Sequence, residues 1–81
     1  MPTIDWTERP DRDPISVAGS ILIGGRNLVV ILINVSRDGC QIECEEPLPI
    51  GVTVRLKVGA VSIAAVIRWS TFGKAGLRFV R

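Results

Sequence analysis

Apolar and polar residues alternate in short runs from Ile15 to the C-terminus, and turn residues separate the runs. A period of two places successive side chains on opposite faces of a β-strand. The alternation is clearest where Cys40, Ile42 and Cys44 are interleaved with glutamine and glutamate. We find no amphipathic helix of useful length, because the apolar spacing never follows the helical period. The pattern predicts an all-β chain.

Six strands are predicted between the turn signals. Gly24-Gly25 and Asp38-Gly39 each lie between two apolar runs, which is typical of β-hairpins. The predicted strands are 15–23, 27–35, 39–45, 52–58, 61–69 and 75–80, with a proline and glycine loop at 47–51. Short strands with a turn every 8 to 12 residues or so favour a small antiparallel barrel or sandwich.

The length of 81 residues predicts one domain. Residues 1–14 contain three prolines and six charged residues, so we expect an extended N-terminal segment there, followed by the domain at 15–81. The segment has a charge balance of −2 and the remainder one of +4. The body could therefore attract an anion, whereas the N-terminal segment works against it.

The second strand is apolar on both faces. Val29, Ile31 and Ile33 alternate along it with Leu28, Val30 and Leu32. A small barrel has only one interior, so one face would remain exposed as an association surface. We expect a homodimer or a partner surface on the outer face of this strand, with Val30 and Leu32 as members.

Catalysis is not supported by the composition. The chain has no histidine, the most common general base and metal ligand. Cys40 and Cys44 would lie about 13 Å apart along a strand, too far for a disulfide, which needs less than about 7 Å. We interpret them as buried thiols in a reducing compartment and predict no metal site. Residues 1–14 are polar and show no secretory signal, and the apolar stretch 28–35 is too short to span a bilayer, so we expect a soluble cytoplasmic protein.

Several short motifs occur in a specific order. Residues 34–39 read Asn-x-Ser-x-x-Gly, and residues 48–51 read Leu-Pro-Ile-Gly. A strand then ends in Arg68-Trp69, and the last strand contains Gly76-Leu-Arg78-Phe. In this order and spacing the series resembles the PilZ family, from about Ile15 to the C-terminus. The resemblance implies a six-stranded antiparallel β-barrel that binds cyclic di-GMP, a bacterial second messenger.

PilZ domains also carry an Arg-x-x-x-Arg motif before the first strand, and here the chain departs from it. Arg9 and Arg12 are three residues apart, and Glu8 occupies the first position if Arg12 takes the second. Pro10 favours an extended conformation at Arg9. In a polyproline II segment, which repeats every three residues, Arg9 and Arg12 would face the same side.

The resemblance implies a ligand site made of Arg9, Arg12, Asn34, Ser36 and Gly39. Guanine presents the paired acceptors O6 and N7, which match an arginine fork, and arginine can also neutralise a phosphate. Asn34 and Ser36 would add polar contacts, and Gly39 would allow a turn with positive φ.

The same residues have structural interpretations that the sequence leaves open. Asn and Ser side chains also satisfy backbone groups at turns. Arg9 and Arg12 could be solvated, Arg68 and Arg78 could be outward strand residues, and Trp69 could be a packing residue. Glu43, Glu45 and Glu46 are interpreted as a solvated strand face.

Two functions are therefore expected. The first is a cyclic di-GMP-binding signalling domain that passes its state to a protein partner. The alternative is a degenerate domain of the same family that no longer binds nucleotide and acts as a protein-interaction adaptor. A nucleic-acid-binding barrel is less favoured, because exposed stacking aromatics are too few.

Overall fold

The computed structural model of this chain describes residues 13–80, with side chains from Ile15 onward. All six predicted strands are present. They are β1 Asp13–Ile23, β2 Arg26–Val35, β3 Gly39–Glu43, β4 Thr53–Val58, β5 Val61–Thr71 and β6 Lys74–Phe79. The strands close into an antiparallel barrel in the order β1-β2-β3-β6-β5-β4, so the predicted all-β barrel is confirmed. The predicted N-terminal segment 1–14 lies mostly outside the described residues.

The strand ends differ from the prediction by a few residues. β1 starts at Asp13, two residues early, and its pairing with β2 shifts between Pro14 and Val17. Proline has no N–H to donate to a neighbouring strand, so it is tolerated in a sheet only where the pairing is irregular, as at this strand start. β3 ends at Glu43 instead of residue 45, and β5 continues to Thr71.

Turns connect the strands where the sequence predicted them. Gly24 and Gly25 both have positive φ values, 55° and 82°, as the favoured two-residue hairpin requires. The loop at 47–51 ends at Gly51, whose φ is 90° and whose N–H donates to the Ile67 carbonyl at 2.7 Å. Leu48 is buried, and its N–H donates to Ser70 Oγ at 3.0 Å. The loop therefore packs onto the barrel.

The core consists of the inward side chains of all six strands and of Cys44 and Leu48, which lie between β3 and β4. The buried apolar residues are Ile21, Val30, Leu32, Cys40, Ile42, Cys44, Leu48, Val54, Leu56, Ala65, Ile67, Ala75 and Leu77. Cys40 and Cys44 are free and buried, as predicted. The alternation at 52–58 predicts an inward face of Val52, Val54, Leu56 and Val58. Val54 and Leu56 are buried, whereas Val52 is 38% exposed because it precedes the first residue of β4.

The prediction that Val30 and Leu32 lie on the outer face of β2 is wrong. Val30 and Leu32 are only 1% and 5% exposed and belong to the core, whereas Val29 on the opposite face is 78% exposed. Both faces of this strand are apolar, so its pattern could not decide which one points inward. The pairing between strands decides which face points inward. Leu32 lies opposite Ile42 of β3, and directly opposite residues point to the same face, so Leu32 points into the core with the fully buried Ile42.

Candidate functional site

Two irregular pairings shape the outer surface of the barrel beside the β2–β3 turn. In the β2–β3 pair, the register shifts between Leu32 and Asn34, and in the β5–β6 pair it shifts between Ile67 and Trp69. An extra residue in one strand reverses which face the following side chains point to. Ile33 and Arg68 are these extra residues.

The two shifts align four residues in one row across four strands. Asn34 pairs with Gln41, Gln41 with Gly76, and Gly76 with Trp69. The adjoining row, Val35, Cys40, Leu77 and Ile67, contains three buried residues, so it points inward. Because neighbouring rows face opposite sides, the row from Asn34 to Trp69 lies on the outer surface.

A surface depression of about 200 Å³ lies on these strands. Its wall comes from the β2–β3 turn, β3, β5 and β6. It is lined by Ser36, Asp38, Gly39, Cys40, Gln41, Arg68, Trp69, Gly76, Leu77 and Arg78. Arg68 and Arg78 are exposed and Trp69 is half-buried. The depression thus combines an aromatic ring with two guanidinium groups.

The β2–β3 turn is held by backbone and side-chain hydrogen bonds. Ser36 N–H donates to the Gly39 carbonyl at 2.8 Å, and Ser36 Oγ donates to the same oxygen at 3.3 Å. The Asp38 carbonyl accepts a hydrogen bond from Phe79 N–H at 2.8 Å, which ties the turn to β6. Ser36 therefore has the structural role that the sequence left open, and it also lines the depression.

Gly39 does not have the positive φ that the sequence predicted. It is the first residue of β3 and pairs with Arg78, and a Cβ at this position would collide with the Leu77 carbonyl oxygen. Glycine is needed here because the β6 backbone approaches too closely for any side chain. The correction leaves Gly39 in the wall of the depression.

Asn34 is half-buried and does not line the depression. Its side-chain amide Nδ2 donates to Gln41 Oε1 at 3.2 Å, and Gln41 does line the depression. Asn34 therefore fixes the orientation of a neighbouring amide. Gln41 is a site residue that sequence reasoning missed, because it was assigned only to the polar face of its strand.

Arg68, Trp69 and Arg78 are further residues whose place in the depression was not predicted. The Arg-Trp and Gly-x-Arg-Phe motifs contained the signal, but nothing in the pattern indicated that the β5 shift brings them together. Two arginines and Asp38 give the lining a net charge of +1. Arg9 and Arg12 lie outside the described residues.

Cys40 completes the wall from the core side. Burial raises the pKa of its thiol from 9.0 to about 11. A thiol with this pKa stays protonated at neutral pH, so it lacks the thiolate that nucleophilic attack and metal binding require. The described part of the chain also contains no cluster of metal-ligating side chains. The arrangement is suited to binding a ligand by stacking and charge.

The family model for the PilZ domain matches residues 7–81. The chain belongs to the PilZ domain family. The match includes the turn at 34–39 and both arginine-bearing strands, so the depression lies within the PilZ domain. PilZ domains are in general cyclic di-GMP receptor domains, and they bind and adapt rather than catalyse. No curated protein matches the chain. The described part of this PilZ domain has no helix with the length and apolarity of a membrane span.

Proposed function

We propose that this PilZ domain binds cyclic di-GMP at the depression between the β2–β3 turn and the Arg68, Trp69 and Arg78 side chains. The observation that carries the proposal is that Trp69 lines the depression together with the exposed side chains of Arg68 and Arg78. An aromatic face can stack on guanine, and each guanidinium can pair with guanine acceptors or a phosphate.

The size of the depression limits what it can hold. At about 200 Å³ it is smaller than the 300 to 1,000 Å³ or so of pockets that enclose a drug-sized ligand. It can therefore accept one part of the dinucleotide, such as a single guanine with its phosphate. The remainder of the ligand would need a second set of contacts.

We propose that Arg9 and Arg12 supply that second set. Extended chain spans at most about 3.3 to 3.6 Å per residue, so these arginines are within reach of the barrel surface where β1 begins at Asp13. Asp13 pairs with Val35, one residue before Ser36, which anchors the start of β1 beside the turn. The N-terminal arginines and the depression can therefore share one ligand.

The test is calorimetric titration with cyclic di-GMP, using GTP as a control for a single guanine with phosphates. Saturable heat with cyclic di-GMP and a higher melting temperature support the proposal. Arg12→Ala is expected to abolish the signal without changing the fold. Absence of heat and of a thermal shift at hundreds of micromolar ligand would defeat the proposal.

A second candidate is an adaptor that does not bind nucleotide. It is favoured by Glu8 in place of an arginine, and by the hydrogen bonds that already engage Asn34 and Ser36 within the protein. A negative titration combined with a stable protein partner would select this function. The ligand would then play no part in recruiting the partner.

A further inference from the structure

β2 extends beyond the strand that lies beside it. Its pairing with β3 ends at Ile31 and Glu43, whereas its pairing with β1 continues to Arg26. Within residues 13–80, the segment Arg26–Val30 therefore has a strand on one edge only. An edge with unpaired backbone N–H and C=O groups can be extended by another strand.

A hollow of about 600 Å³ lies along this edge. Leu28–Ile31 form one side of it and Glu43–Glu46 the other, with Gly73 at the end. Val29 exposes 78% of its surface, and Leu28 is half-buried. The hollow thus offers apolar side chains beside an open backbone edge, as strand-addition sites do.

A second hollow of about 250 Å³ continues the same surface around the β5–β6 turn. Glu45 and Gly73 line both hollows, so they are neighbours. Phe72, at the tip of this turn, is fully exposed. Val29 in the first hollow and Phe72 in the second give the surface two large apolar side chains that are exposed to solvent.

The charge of this surface indicates which kind of partner segment it attracts. Glu43, Glu45 and Glu46 line the hollow, and among the described residues its lining contains no lysine or arginine. Two cations lie beside it, Arg26 in an ion pair with Glu46 and Lys74 opposite Glu43 in the β3–β6 pair, so these five residues keep a net charge of −1. A second copy of the chain would bring the same glutamates and repel the first. A segment rich in lysine or arginine would be attracted instead.

We propose that the β2 edge binds an extended segment of a partner protein whose outward-facing side chains, at every second position, are apolar and basic in turn, because Val29 and Glu43 share the outer face. The backbone of the segment pairs with Arg26–Val30, its apolar side chains pack on Val29, and its basic side chains contact Glu43 and Glu45. The depression proposed to bind cyclic di-GMP is lined by Gly39–Gln41, which lie at the other end of β3. Partner binding therefore does not depend on the proposed dinucleotide function.

The test is a nuclear magnetic resonance titration of the ligand-free protein with the octapeptide (Val-Thr-Lys-Thr)₂, in which valine and lysine share one face of the extended chain. We expect saturable shifts in Arg26–Val30 and Glu43–Glu46, together with slower amide exchange along Arg26–Val30. The peptide (Val-Thr-Glu-Thr)₂ is expected to cause no such change, because its outward-facing carboxylates are repelled. Shifts spread evenly over the surface, or none at the β2 edge, would overturn the proposal.

Two variants with equal changes in net charge locate the contact. Glu43→Gln/Glu45→Gln removes two exposed carboxylates, and the control Thr53→Lys/Ser62→Lys adds two positive charges at exposed positions on β4 and β5. The first should weaken peptide binding about fivefold, since exposed ion pairs contribute modestly. The control should change it less than twofold. Equal weakening in both variants would show that only net charge matters and would overturn the site. Shifts of the same amides that depend on protein concentration without peptide would indicate self-association and would also overturn it.

Discussion

The indole ring of Trp69 lies over Gly76, its cross-strand partner in the β5–β6 pair. A Cβ at position 76 would collide with Nε1, Cε2 and Cδ1 of the indole. The ring therefore covers a glycine on the outer surface, in the way that aromatic side chains protect glycines in sheets. This contact fixes the aromatic ring that lines the depression.

Gly76→Ala is expected to destabilise the protein by about 1–3 kcal/mol, because the new methyl group displaces the indole. Urea denaturation measures the change. In a Trp69→Ala background the same substitution should cost much less, since the colliding ring is gone. Equal costs in the two backgrounds would show that the ring does not restrict position 76.

Gly39→Ala is expected to be more damaging, about 3 kcal/mol or more, because the atom it meets is a backbone oxygen that cannot rotate away. Gly51→Ala is the matched control. Its φ is 90° but nothing lies within 4 Å of an added Cβ, so only conformational strain of about 1–2 kcal/mol is expected. Thermal or urea unfolding of both variants gives the comparison. A smaller loss at position 39 than at position 51 would contradict the role assigned to Gly39.

Arg68→Ala and Arg78→Ala are each expected to weaken cyclic di-GMP binding roughly tenfold, as the loss of a hydrogen bond to a charged group would. Their stability should change by less than about 0.5 kcal/mol, because both side chains are exposed. Arg55→Ala on β4 is the control, since Arg55 is exposed but does not line the depression. Calorimetry should show unchanged affinity for it. A similar loss in all three variants would point to general charge attraction.

Glu8→Arg is expected to strengthen cyclic di-GMP binding at least tenfold, because it creates the Arg-x-x-x-Arg spacing of the family with Arg12 and removes a repulsive carboxylate. Glu8→Gln separates the two effects, since it removes only the repulsion, and should give a smaller gain. The measurement is calorimetric titration of the three proteins side by side. If neither variant differs from the parent chain, position 8 does not face the ligand.

The free energy of unfolding should fall between pH 9 and pH 11 because of Cys40. Burial raises the pKa of this thiol from 9.0 to about 11, so the unfolded chain loses its proton at lower pH than the native chain does. The unfolded state then binds fewer protons across this interval, and stability decreases as pH rises, by about 2 kcal/mol. Urea denaturation at several pH values measures the slope. In Cys40→Ala the decrease in unfolding free energy from pH 9 to pH 11 should be smaller by this amount, and an equal decrease in both proteins would refute the assignment.

The sequence predicted the strands well where one face is apolar and the other polar. β3 and β4 alternate cleanly, so Ile42, Val54 and Leu56 were placed inside correctly. The face of β2 could not be predicted because both faces are apolar. Arg68 could not be assigned to the depression, because the extra residue in β5 follows from how β5 and β6 pair and leaves no mark in the hydrophobic pattern.

Local chemistry by itself determined the number of strands, the positions of the turns and the resemblance that led to the family, because alternation, glycine and proline act over a few neighbouring residues. Only the tertiary structure decided that Val30 and Leu32 point inward, that Gly39 is needed for close strand approach, and that Trp69 and Arg78 line the same depression. These features depend on the register between strands that are distant in the chain. Register is set when the whole barrel closes around its core.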